Sequence, residues 1–208
     1  MPLDDAFFAG FVAWIFDRNV DAEPWFNTDD REYSRDYEKL LLACIRLFEK
    51  PAHNLSRFSL PQLRQGFFYM GVDHGYLRLI FEPQVSLEIR RTAVNSMLTL
   101  FRDYFQIDPV DDTCNMWWEY VYFSASPSGR GIYDDDPIFD EILRVLASIL
   151  RIQNDQCIIS ALRGLGLTTI VRNEAVKEII NRFIADFPNL SPEILSFAAG
   201  CRDSRGWI

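Results

Sequence analysis

Apolar side chains recur along most of this chain at the spacing of an amphipathic α-helix. The clearest stretch runs from Asn173 to Phe187, where apolar residues return at alternating steps of three and one, with polar residues between them. This pattern places one apolar stripe along a helix that begins at Asn173 as N-cap and ends before Pro188. The sequence has no convincing run of strict apolar–polar alternation bounded by turn residues, so it predicts an all-α fold.

The same periodicity predicts the other helices of the chain. Residues 86–105 are apolar on more than one face, which is typical of a central helix buried on two sides. In all, the pattern predicts about nine helices, drawn from ten helical segments of which two, 60–70 and 75–81, are short. Besides the two stretches above, the predicted helices cover residues 6–16, 31–50, 60–70, 75–81, 115–123, 135–152, 155–167 and 191–203.

Two short sequences in the last third of the chain are similar to each other. Residues 158–164 (IISALRG) and 194–200 (ILSFAAG) align with an offset of 36 residues (194 − 158), and an amphipathic helix lies between them. This alternation resembles the HEAT-like helical repeats. The resemblance implies an irregular stack of antiparallel helical hairpins, an α-α superhelix, that presents a surface to a protein partner. It transfers no catalytic or binding residue, because such repeats have no fixed site positions.

We expect a single helical domain over residues 1–208, which is long enough to bury a substantial core. The polar segment 124–132 divides this domain into two parts. The part before it, 1–124, is expected to be irregular, and the part after it, 133–208, to contain the HEAT-like repeats.

The charge of the chain narrows its set of partners. The net charge is −9, from 30 acidic and 21 basic residues, and no stretch carries the clustered lysines and arginines that phosphate binding requires. We therefore expect neither nucleic acid nor a membrane as partner. Four scattered cysteines without a CxxC pair are typical of reduced thiols, and we expect a cytoplasmic protein.

The sequence lacks the common catalytic and cofactor motifs. It has no GxxxxGK[ST] phosphate loop, no GxSxG nucleophile elbow and no HExxH zinc motif. Neither His53 nor His74 follows a glutamate by three residues, so the di-iron pattern of carboxylate bundles is also missing. The glycines of residues 164–166 (GLG) lie between two predicted helices, where packing or capping explains them. We expect no metal and no other cofactor.

Aromatic side chains concentrate in residues 115–123 (NMWWEYVYF). We predict a buried helix here, on which Trp117 and Trp118 lie about 100° apart. One tryptophan should therefore face the core, while the other reaches a seam between helices or the surface. Acidic residues also precede Pro137, where capping of the next helix is the competing interpretation. The candidate protein-binding residues are Trp118, Glu119, Tyr122, Asp134 and Asp135.

The sequence favours a non-catalytic protein-interaction domain, such as an acidic bacterial adaptor or immunity-type protein that binds a basic partner. The alternative is an enzyme or a small-ligand-binding protein with a pocket near residues 111–119. A deep pocket that brings Glu119 and Asp112 beside Trp117 would favour the alternative. A shallow groove with exposed aromatic side chains in a negative field would favour the interaction domain.

Overall fold

The computed structural model describes residues 3–21, 33–73, 75–123 and 136–203. Within these residues it contains nine α-helices and no strand, which confirms the predicted all-α fold. Two π-helical turns (Tyr69–Asp73 and Phe101–Phe105) and one 3-10 turn (Tyr76–Phe81) interrupt the first part of the chain. The α-helices are α1 (Asp5–Phe16), α2 (Tyr37–Glu49), α3 (Pro51–Leu55), α4 (Leu60–Phe68), α5 (Leu87–Leu100), α6 (Thr113–Phe123), α7 (Ile138–Ile149), α8 (Asp155–Asp186) and α9 (Pro192–Asp203).

Short polar side chains begin several of these helices. Asp4 caps α1, Asp36 caps α2, Ser86 caps α5 and Asn154 caps α8, each through a side-chain oxygen that accepts a hydrogen bond from the first turn. These N–H groups have no partner inside their own helix, so each cap stabilises the start of its helix by about 1 kcal/mol.

The helix α7 and the first half of α8 (155–171) form an antiparallel hairpin. Leu146 of α7 lies against Gly164, and the guanidinium of Arg172 lies 5.3 Å from the centre of the Phe139 ring. The residue of α8 in each contact has a higher number when its partner in α7 has a lower one. The two helices thus pack side by side in opposite directions.

The helix α8 bends back sharply at Arg172, whose backbone leaves the helical region (φ −141°, ψ 44°). A straight helix of its 32 residues would be about 48 Å long. Yet Asp186, at its end, binds Arg151, which precedes its start, at 2.8 Å. The sequence predicts two helices with a turn between them; in the structure this turn is reduced to the bend at Arg172. The second half of α8 (173–186) then forms the next hairpin with α9.

The helix α5 lies parallel to α7. Arg90 of α5 binds Asp136, just before α7, and Asn95 binds Glu141; the partners in each pair are 46 residues apart. A constant separation means that equal steps along both helices keep their partners in contact, so the helices run in the same direction.

The helix α6 lies parallel to the first half of α8 in the same way. Glu119 binds Arg163, 44 residues later, and Tyr122 binds Thr168, 46 residues later. The α5–α6 pair therefore stacks on the α7–α8 hairpin in register. The sequence predicts an irregular part before residue 124, and in the structure α5 and α6 of that part stack on the α7–α8 hairpin.

Aromatic rings fill the core of the first part. Trp117 is fully buried, and the rings of Phe48, Phe67, Phe101 and Phe105 meet it edge-on with centroid distances of 5.4 to 6.4 Å. This arrangement places positive ring edges against a negative ring face. The predicted burial of the helix containing Trp117 is confirmed. All nine described helices contribute to one contiguous hydrophobic cluster, while the predicted boundary segment, 124–132, lies outside the described residues.

Candidate functional site

Trp118, the first of the predicted binding residues, faces α8 and has no exposed surface. Its indole lies on Gly164, where a Cβ atom would come within 2.7 Å of the Trp118 Cγ atom. The indole also stacks on Phe101, with a centroid distance of 6.5 Å. The sequence predicts that one of the two tryptophans lies either in a seam between helices or at the surface. In the structure Trp118 lies in the seam between α6 and α8. Contact with a partner is therefore not available to Trp118.

Glu119 and Tyr122 also hold α6 against α8. The Arg163 Nη1 atom donates a hydrogen bond of 2.7 Å to Glu119 Oε1. The Tyr122 hydroxyl lies 2.8 Å from the Thr168 hydroxyl, and burial raises the pKa of Tyr122 above its usual value. Glu119 retains some exposure, but its carboxylate is committed to this ion pair. Both side chains therefore act inside the fold, in the seam that Trp118 fills.

The other two predicted residues, Asp134 and Asp135, lie outside the described residues, as does His74. Their neighbour Asp136 shows what a carboxylate does at the start of α7. Its Oδ1 atom accepts a hydrogen bond from the Ile138 N–H at 3.0 Å, and its Oδ2 atom accepts one from Arg90 at 2.7 Å. At Asp136, therefore, the carboxylate caps the helix and pairs with a buried arginine.

A recess of about 570 Å³ lies beside residues 111–119, where the sequence places the alternative pocket. Asp112 lines it, but neither Glu119 nor Trp117 does, because they face α8 and the aromatic core. The cation in the recess, Arg64, is paired with Asp111. The recess therefore does not bring Asp112, Glu119 and Trp117 together, which is the arrangement that would favour an enzyme or a ligand pocket. The described lining consists of Arg64, Gln65, Phe68, Val110, Asp111, Asp112, Thr113 and Tyr120.

The backbone is strained at the turn that leads into α6. Val110 and Asp111 have φ values of 50° and 52°, in the left-handed region that β-branched residues rarely adopt. Full burial of the Val110 side chain and a hydrogen bond from its N–H to Asp108 Oδ1 (3.0 Å) hold the turn in place. This turn fixes where α6 begins.

Comparisons with protein-family models, with curated proteins and with solved structures find no match. Within the described ranges, no group of three or more His, Cys, Asp and Glu side chains is placed to hold a metal ion. In the same part of the chain, no helix combines the length and the apolar composition that crossing a bilayer requires.

The largest groove among those described lies between the N-terminal ends of α1 and α2, and its volume is about 770 Å³. We call it the α1–α2 groove. Partly buried aliphatic and aromatic side chains form its floor, and exposed carboxylates with one lysine form its rim. The only cation in the described rim, Lys39, is 3.3 Å from Asp36. The groove is lined by Leu3, Asp4, Ala6, Phe7, Asp36, Glu38, Lys39 and Leu42.

Sequence reasoning missed this groove. Asp4 and Asp36 cap their helices, so the two helix starts carry negative charge. Nothing in the sequence brings these starts together, however, since 31 residues (36 − 5) separate the beginning of α1 from Asp36. Tertiary packing alone creates the groove.

A second groove, of about 470 Å³, lies between α7 and the second half of α8; we call it the α7–α8 groove. Three arginines surround an apolar floor that includes Ile179 and Phe187. Each arginine is bound to a carboxylate of the same surface, so the charges balance. The pairs are Arg144 with Glu141, Arg151 with Asp186 and Arg182 with Glu178.

Proposed function

We propose that this chain is a non-catalytic protein-interaction domain, of the adaptor or immunity type, that binds a basic protein. The α1–α2 groove carries the proposal. Asp4, Asp36 and Glu38 stand around its apolar floor against one lysine. A partner segment with aliphatic side chains on one face and lysines or arginines beside them would fill the floor and meet the carboxylates.

The whole-chain charge favours the same partner. A net charge of −9 attracts a basic protein over distances of about a Debye length, which is about 8 Å at physiological ionic strength, and repels an acidic one. The α7–α8 groove offers no excess negative charge to such a basic segment, because each of its arginines is paired with a carboxylate. Glu38, in contrast, is exposed in the first turn of α2 and faces the groove.

The arrangement of the helices supports the resemblance to HEAT-like repeats. Paired helices stack in register from α5 to α9, as expected for an α-α superhelix whose surface receives a partner. Burial of all four cysteines as thiols is in keeping with a reducing, cytoplasmic environment. The recess near residues 111–119 supports an enzyme less well, since its arginine is already paired and Glu119 is not part of its described lining.

Affinity purification of the tagged full-length chain from its native host, read out by quantitative mass spectrometry, tests the proposal. The key variant is Glu38→Lys, and its matched control is Glu88→Lys. Both glutamates are exposed in the first turn of a helix, so both changes have the same effect on net charge and on the helix dipole. Only Glu38 lines the groove.

We expect a stoichiometric basic partner that the Glu88→Lys chain retains and that the Glu38→Lys chain loses by about tenfold or more in affinity, or about 1.4 kcal/mol. Leu42→Ala should also weaken binding, although it changes no charge. Equal retention by both lysine variants would exclude the α1–α2 groove as the binding surface. A co-purifying metabolite in the reproducible absence of a protein partner would overturn the proposed function.

A further inference from the structure

Two of the four cysteines face each other across the seam between α6 and α8. The sulfur atoms of Cys114 and Cys157 are 3.9 Å apart, and both side chains are fully buried. The other two, Cys44 on α2 and Cys201 on α9, lie on separate helices. A disulfide bond is about 2.05 Å long, so the Cys114 and Cys157 sulfurs need to approach by about 1.9 Å. Small side-chain rotations can supply a movement of this size.

We propose that Cys114 and Cys157 are a modification site, at which a peroxide converts the two thiols into a disulfide that cross-links α6 to α8. The sequence gives no indication of this pair, because 43 residues separate its members. Parallel stacking of α6 on α8 brings them together, in the same register that joins Glu119 to Arg163. The inference is independent of the proposed partner binding.

The surroundings of the two sulfurs differ, and the difference assigns their roles. Cys157 lies in the first turn of α8, where Asn154 caps its N–H and the helix dipole favours a thiolate. Either thiol can donate in the sulfur–sulfur hydrogen bond; donation by Cys114 lowers the pKa of Cys157 below its usual value. The same hydrogen bond, and then burial, raises the pKa of Cys114. Cys157 is therefore the attacking thiol and Cys114 the resolving one.

The chemistry balances with hydrogen peroxide as the oxidant. The Cys157 thiolate attacks one peroxide oxygen, the O–O bond breaks, and the departing hydroxide takes up a proton to become water. The resulting sulfenic acid is then attacked by the Cys114 sulfur, which loses its proton; the S–S bond forms, the S–O bond breaks and a second water leaves. In sum, two thiols and one peroxide give one disulfide and two waters.

Peroxide reaches the pair when the turn before α6 opens. Asn154 donates a hydrogen bond of 3.1 Å to the Gln106 carbonyl and so ties this turn to the start of α8. The neighbouring Ile107 is 82% exposed, and the turn contains the strained residues Val110 and Asp111. The buried Val110 side chain closes this turn in the folded state, but the exposed apolar side chain and the strained backbone should let it open at a lower free energy than the packed helices.

Peptide mapping of the full-length chain tests the site. The protein is treated with hydrogen peroxide, denatured, alkylated and digested with trypsin, which separates the cysteines onto residues 40–46, 103–130, 152–163 and 183–202. We expect a cross-linked pair of 103–130 with 152–163, with Cys44 and Cys201 alkylated. We also expect a rise in Tm of about 10 °C that dithiothreitol reverses, because the bond constrains a long loop of the unfolded chain.

Single variants separate the two roles. In Cys114→Ser, peroxide should leave a sulfenic acid on Cys157 that dimedone labels, whereas Cys157→Ser should leave Cys114 unlabelled. Cys44→Ser is the control for loss of a buried cysteine and should keep the cross-link. Alkylation of all four cysteines after peroxide treatment, or a cross-link through Cys44 or Cys201, overturns the proposal. The wild-type map decides this even if a variant fails to fold.

Discussion

The two parts of this molecule reach the same all-α architecture with different packing in their described residues, which are 3–21, 33–73 and 75–123 in the first part and 136–203 in the last. In the first part, large rings gather around Trp117, and π-helical and 3-10 turns interrupt the helices. In the last part, aliphatic side chains and a glycine let long helices lie close together, and arginine–carboxylate pairs join their exposed edges.

The difference shows how side-chain shape governs helix regularity. Aromatic rings prefer edge-to-face or offset-stacked geometry, so the backbone must adjust around a ring cluster. Aliphatic and small residues fill the grooves of a neighbouring helix without such adjustment. We therefore expect the stability of the first part to depend more on the shape of its buried side chains. The stability of the last part should depend more on the size of the smallest residues in the seams between helices.

The largest effect should come from removing the ring at the centre of the first part. Trp117→Ala should lower the free energy of unfolding by about 3–5 kcal/mol, because it leaves a cavity among four phenylalanines. Ile142→Val, a truncation of a fully buried residue in the last part, should cost about 0.5–1.5 kcal/mol. Urea denaturation followed by circular dichroism measures both.

Trp117→Phe sharpens this comparison, because the buried indole N–H of Trp117 has no hydrogen-bond partner among the described residues. Phenylalanine keeps a ring and removes that unpaired donor, so we expect a loss well below that of Trp117→Ala. If phenylalanine and alanine were equally destabilising, ring geometry would not be what organises the first part.

The next effect concerns Gly164 and Gly200, which occupy the same position in the two similar sequences of the last third. In Gly164→Ala the new Cβ would meet Leu146 and Trp118 at 2.7 Å, and we expect a loss of about 1–3 kcal/mol. A Cβ on Gly200 meets nothing within 4 Å, so Gly200→Ala should stabilise α9 by about 0.5–1 kcal/mol. Thermal unfolding of both variants measures the difference. Shifts of the same sign would contradict the close approach of α6 to α8.

The smallest effect concerns the ion pair between Glu119 and Arg163, which joins the two parts at a half-exposed position. A double-mutant cycle with Glu119→Gln and Arg163→Met should give a coupling energy of about 0.5–1 kcal/mol. The coupling should shrink in 1 M NaCl, because salt screens exposed charges. A coupling that stays constant in salt would mean that the contact acts through packing.

Much of the helical content could be predicted from the sequence, because amphipathic periodicity reflects burial of one face. The stretch 135–152 contains α7, and the apolar stripe after Asn173 matches the second half of α8. The reversal at Arg172 could not be located to one residue, since neither glycine nor proline marks it. Where tertiary contacts force a bend, local sequence carries little signal.

The candidate site was harder to predict for a related reason. Periodicity indicates that a face of α6 is buried, but not that α8, more than 30 residues later, covers the neighbouring face and Trp118 with it. The net charge directs attention to acidic surfaces. Which carboxylates remain available to a partner depends on ion pairing, and pairing such as that of Glu119 is visible only in three dimensions.

The position of the bend at Arg172 also determines which face of the second half of α8 points toward the core. Helices in bundles are usually joined by loops of about 2–8 residues, which can absorb an added residue. Here the reversal is confined to a single residue, and each residue inserted into a helix turns the remainder by about 100°. Ile180 and Phe183 face the core only because the reversal falls where it does. An insertion or deletion of one residue next to Arg172 would therefore turn the second half of α8 away from the core. The position of α9, which follows it, would change as well.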